Sequence, residues 1–128
     1  MTPAPIRPTA AQLGLVVLGG AIGTAARAGL LLIDAPGWTT VAVPVINVVG
    51  AFLLGLLTGV LSRRAPSPRA GAARQLIGTG VLGGFTTYST FAVQAVDGAT
   101  LVVTVATALL GVAAAVGGLS LGGWRRAA

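Results

Sequence analysis

Asn47 is the side chain least at home in its surroundings. It stands in Pro44-Val45-Ile46-Asn47-Val48-Val49-Gly50, where every neighbour is apolar or glycine, and an amide in hydrocarbon must find a partner or water. Two uses fit it: a hydrogen bond between helices that fixes packing, or an N–H donor turned toward the path of an anion. A second polar concentration is Gly80-Val81-Leu82-Gly83-Gly84-Phe85-Thr86-Thr87-Tyr88-Ser89-Thr90-Phe91. Its glycines and hydroxyls predict a break in a helix near Gly83 to Thr86, with freed carbonyls able to ligate a cation. Alternatively the hydroxyls bond back to preceding carbonyls and the helix continues. Tyr88 and Phe91 share a helical face, and the positive edges of their rings can meet an anion as well as pack. Thr100, Thr104 and Thr107 make a polar stripe, either a hydroxyl track lining a pore or a set of self-satisfied threonines. Arg27, charged within an apolar run, either faces a functional path or extends to the membrane surface.

The remaining composition removes most other chemistry. Of 128 residues, 55% are hydrophobic and 8% charged, against roughly 25% charged in soluble domains. The acidic residues are Asp34 and Asp97, every basic residue is arginine, and His, Cys, Glu and Lys do not occur. Without them there is no thiolate, no imidazole base and no ordinary transition-metal site, so an enzyme is not expected. The net charge of +6 comes from arginines in short segments without interleaved aromatics. That pattern suits lipid headgroups rather than nucleic acid.

These groups must be positioned by membrane-spanning helices. An uncharged run of about 18 residues crosses the hydrocarbon at about 1.5 Å per residue, and four stretches reach that length: about 9–32, 38–61, 75–96 and 99–123. Together they make one four-helix transmembrane domain over residues 9–124, between a disordered tail at 1–8 and a basic end at 125–128. Pro44 is expected to kink the second span, and Trp38 and Trp124 to anchor at the interfaces. The first apolar run is too long for a cleavable signal. Glycines four apart recur as Gly19 and Gly23, Gly55 and Gly59, Gly80 and Gly84, Gly118 and Gly122, a spacing that lets helix backbones approach closely. Arg7, Arg63, Arg64, Arg69, Arg74, Arg125 and Arg126 fall on one side of such a bundle, and the opposite loops hold Asp34 and Asp97 alone. The positive-inside rule then places both termini in the cytoplasm, in a multi-pass protein of the cell membrane.

Gly19-Gly20-Ala21-Ile22-Gly23-Thr24-Ala25-Ala26-Arg27, Asn47 before Gly50, and Gly83-Gly84-Phe85-Thr86-Thr87-Tyr88-Ser89-Thr90-Phe91 together resemble the Fluc or CrcB fluoride channel family, across all four spans. The resemblance implies an all-α membrane subunit of an antiparallel dimer with two fluoride pores and a buried central sodium ion. Asn47 would give its amide to fluoride, and Tyr88 and Phe91 would be the pore aromatics. Ser89 and Thr90 would lie in the broken turn, and Thr100, Thr104 and Thr107 would form the hydroxyl track. Arg27 would attract anions at a vestibule, while Gly83 and Thr86 would turn backbone carbonyls to sodium. The family commonly has Phe at the position of Tyr88 and Glu at that of Gln94, so the details of the ion path differ here.

The expected activity is passive export of fluoride that entered as the neutral acid and ionised inside, through a path that binds weakly enough to release. Competing expectations are a small four-helix drug or cation exporter, which would need a membrane-embedded glutamate that this chain lacks, and a non-transporting membrane scaffold. The one-sided arginines further predict a fixed orientation and pairing with a homologous subunit of opposite bias.

Overall fold

The computed structural model describes residues 8–87 and 98–123, with the backbone alone at 39 and 98–100. All regular structure among these residues is helical. Helix α1 (Ala10–Leu31) starts at a capping box: the Thr9 hydroxyl accepts from the Gln12 N–H at 3.3 Å, and the Gln12 side chain accepts from the Thr9 N–H at 2.9 Å. Donors that the first turn cannot pair internally are thereby satisfied. At the other end the Trp38 indole N–H donates to the Leu30 carbonyl at 2.7 Å. Gly37, at φ 75°, turns the chain into α2 (Trp38–Ser62), which runs on through Pro44. The tail at 1–7, Trp124 and the basic end lie outside the described residues.

The third helix begins at Pro68 rather than at Gln75. Ser67 caps it by accepting from the Ala70 N–H at 3.2 Å, and Pro68 occupies the first turn, where a missing N–H loses nothing. Counting uncharged residues misses this start because Arg69 and Arg74 stand in its opening turns. From α3 (Pro68–Ala73) the chain continues through a π-helical stretch (Arg74–Leu82) and the short α4 (Gly83–Phe85). Thr86 leaves helical geometry, at φ −76° and ψ 155°. The remainder of the predicted third span lies at 88–97, outside the described residues. Helix α5 (Gly98–Gly123) is the last described element.

Among the described residues three helical segments, Ala10–Leu31, Thr40–Ser62 and Leu101–Gly123, are long and apolar enough to cross a membrane. Burial is inverted relative to a soluble fold: Val17, Val102 and Leu109 are 72%, 71% and 67% exposed, whereas the buried apolar residues are few, Ile46 among them. Such a surface requires lipid or other helices around it.

The glycine pairs build two seams. A Cβ at Gly19 or Gly23 would fall on the Leu76 or Val81 carbonyl, and one at Gly80 or Gly84 on the backbone of Gly19 or Gly20, so α1 lies directly against the third helix. In the second seam, Gly55 and Gly59 meet the Ala115 and Leu119 carbonyls, while Gly118 and Gly122 meet those of Phe52 and Leu56. Helices α2 and α5 therefore run parallel, with position 51 beside 111 and 55 beside 115. Any side chain at Gly55 must push the helices apart. Gly55→Val is expected to destabilise by about 1–3 kcal/mol, read as a lowered Tm in detergent, whereas Gly14→Ala, which meets nothing within 4 Å, should leave Tm unchanged. Equal melting of the two variants would remove the seam from the account.

Candidate functional site

Asn47 and Thr87 hold each other at the end of the third helix. The Thr87 N–H donates to Asn47 Oδ1 at 2.9 Å, and Asn47 Nδ2 donates to the Thr87 carbonyl at 3.1 Å. A backbone N–H can only donate and a carbonyl only accept, so this pair dictates which way the amide faces. It also bears on the helix. The last regular bond runs from the Thr86 N–H to the Leu82 carbonyl at 3.0 Å, and the next donor, Thr87, is diverted to Asn47. Gly83 is thus deprived of the N–H that would ordinarily meet its carbonyl one turn on. The Thr86 hydroxyl does bond back to Leu82, at 3.0 Å.

The interhelical bond foreseen for Asn47 is therefore present, and it leaves chemistry over. An amide nitrogen carries two hydrogens, of which Thr87 takes one. Asn47 lines a cleft of about 660 Å³ between α2, the third helix and α5, together with Gly50, Arg74, Thr86, Thr87 and Thr107. Thr107 is buried, its hydroxyl donating to the Val103 carbonyl at 2.7 Å, which keeps an oxygen lone pair but commits the hydrogen. Thr104 is buried as well, and its hydroxyl has no partner among the described residues. The stripe is thus neither uniformly self-satisfied nor wholly open. Only the backbone is described at Thr100, and Tyr88, Ser89, Thr90, Phe91 and Gln94 lie outside the described residues.

Arg27 turns inward. Half-buried, it donates from Nη1 to the Thr86 carbonyl at 3.0 Å, meeting an oxygen that the end of the helix has released. Thr24, one turn earlier on α1, donates to the Gly84 carbonyl at 3.4 Å. Sequence reasoning did not assign Thr24, although it stands in the Gly23-Thr24 segment, and it used Arg74 only as a topological charge.

The oxygens around Thr86, where helical geometry stops, suit a hard cation, which takes oxygen ligands. Gly83 has lost its helical donor, and Thr86 keeps a second carbonyl lone pair beside the one Arg27 uses. Among the described residues no cluster of His, Cys, Asp or Glu could hold a metal instead.

A sequence model of the family described as CrcB-like protein, Camphor Resistance (CrcB), matches residues 14–122. The protein named fluoride-specific ion channel FluC 2 from Leifsonia xyli subsp. xyli is 47% identical over 118 residues, covering 84% of this chain and 81% of that one. FluC from Agrobacterium fabrum is 37% identical over 124 residues, 87% of this chain and 95% of its own length. FluC from Caulobacter vibrioides is 41% identical over 87 residues, 65% of this chain and 67% of that one. The match takes in α1, α2, the third helix with its Asn47–Thr87 pair, and nearly all of α5, and on that footing the chain belongs to the CrcB family.

Proposed function

We propose that this chain is a subunit of a fluoride-selective channel of the cell membrane and is not an enzyme. The observation that carries the reading is the Asn47 amide, clamped by Thr87 and left with one N–H in a cleft between α2, the third helix and α5. Relatives named fluoride-specific ion channels support it. A fluoride ion entering such a path exchanges water for a few fixed donors. With Arg74 the one charged side chain lining the cleft, the ion otherwise meets neutral donors and is held weakly enough to leave. In this proposal Asn47 supplies the amide donor and Tyr88 and Phe91 supply ring edges. Ser89, Thr90, Thr100, Thr104 and Thr107 offer hydroxyls, and Arg27 raises the local anion concentration by its charge. Sodium at the centre of an antiparallel dimer would be held by the Gly83 and Thr86 carbonyls, supplying fixed positive charge that steadies the broken third helix.

Fluoride-electrode recording from liposomes containing the purified protein tests this. With a homologous partner subunit present, fluoride efflux without chloride efflux is the expected result, and efflux of neither ion, alone or with that partner, would leave only the scaffold reading.

Orientation and partner follow from charge. Arg63 and Arg64 follow directly on α2 and Arg69 and Arg74 stand in the opening turns of the third helix, while the turn between α1 and α2 carries Asp34. That bias favours one insertion, termini inside, and an antiparallel companion of opposite bias. A reporter fused to the carboxyl terminus should signal only from the cytoplasm. Signals from both compartments, or full fluoride export by this chain alone, would overturn the paired-subunit assignment.

A further inference from the structure

A second cleft of about 660 Å³ lies apart from Asn47, at the turn between α2 and α3. Arg63, Arg64 and Arg74 line it with Ser67, against apolar walls that include Leu61 and Ala70. No carboxylate balances these charges: Asp34, the one acidic side chain among the described residues, lies in the turn at the opposite end of α2. Arg63 is fixed in place, donating from Nη2 to the Leu121 carbonyl of α5 at 3.3 Å, while its Nε is shielded from solvent and has no acceptor among the described residues. A shielded guanidinium N–H without an acceptor is unfavourable in the protein alone and points to a missing anionic ligand.

From this arrangement we infer that the cleft is a binding site for a phosphate oxyanion, taken at the membrane surface from the headgroup of an anionic phospholipid. Three guanidiniums match the several oxygens of a phosphate, and Arg is suited to that geometry. The cleft also stands where α2 leaves its apolar run, at headgroup level, and basic pockets at that depth take acidic lipid headgroups. Leu61 and Ala70 then seat the glycerol carbons. Bound there, the lipid ties α2, the third helix and α5 together at one end, since Arg63 already reaches Leu121.

Native mass spectrometry of the full chain in uncharged detergent tests the site, titrating phosphatidylglycerol, phosphatidylcholine and inorganic phosphate separately. Phosphatidylglycerol should bind at least about tenfold more tightly than phosphatidylcholine, and each arginine removed should weaken it about fivefold. Because Arg63 also braces α5, the decisive variant is Arg64→Gln with Arg74→Gln, which leaves Arg63 in place and whose lipid-free Tm should equal the parent's. Submillimolar binding of inorganic phosphate, lost in that variant, would uphold the oxyanion site with a soluble source. Equal binding of the two lipids with no phosphate binding, or phosphatidylglycerol binding undiminished in the double variant, would overturn it. None of these readouts depends on fluoride conduction.

Discussion

Asn47→Ala should lower fluoride efflux by about two orders of magnitude while the protein still inserts. The substitution takes from the Thr87 N–H and carbonyl the bonds that Asn47 makes to them at 2.9 and 3.1 Å. Each such bond lost at a buried group costs about 1–3 kcal/mol. The sum, about 2–6 kcal/mol, would displace the Thr87 turn, and every 1.4 kcal/mol is tenfold in population. The donor left over in the cleft is lost at the same time. Asn47→Asp separates the two effects: its carboxylate still accepts from Thr87, but it has no N–H to give and it repels an anion, so flux should fall as far with less loss of Tm. Both variants are read in the fluoride-electrode assay, with a circular dichroism melt beside it. Efflux within twofold of the parent in either variant would remove Asn47 from the ion path.

The clamp also shows what a sequence holds and what it withholds. An asparagine among Val and Ile announces that a partner exists, because a lone amide cannot stay in hydrocarbon. It does not name that partner, which is the backbone of a residue 40 positions away. The glycines were legible for a similar reason: their spacing stores the demand for close approach in the residue type itself. Which pair faces which was not stored there, since Gly19 and Gly23 could meet any other such pair until the fold sets them against Gly80 and Gly84. Composition around Gly83 to Thr86 signalled that the helix is vulnerable, yet the helix ends at Phe85 because Asn47, on another helix, takes the next N–H. The π-helical stretch at Arg74–Leu82 left no mark in the sequence. It is a small change of register in which Gly80 lies hard against α1 and Gly78 faces Leu54 and Leu57 of α2, and such a change depends on tertiary fit rather than on local preference. The early start of the third helix was written in Ser67-Pro68 and was passed over because a count of apolar residues stops at the first arginine.

Arg27→Gln should cut fluoride efflux about tenfold at low ionic strength, and the deficit should shrink as salt is raised. Two contributions are lost. One is the charge-assisted bond to the Thr86 carbonyl at 3.0 Å, worth about 1.5–3 kcal/mol to the geometry of the turn. The other is the positive potential that concentrates anions near Thr86, which falls off over about 10 Å at 0.1 M salt. Raising salt weakens the second in the parent and leaves the first untouched, so the portion of the deficit that persists at high salt measures the bond to Thr86. Arg27→Lys restores charge without the planar fork and should recover the salt-sensitive portion only. Were Arg27 merely reaching the membrane surface, neither variant would alter flux at any salt concentration. The inward bond to Thr86 makes that outcome the one that would sever α1 from the conduction path, because no other charged side chain on α1 stands near the end of the third helix.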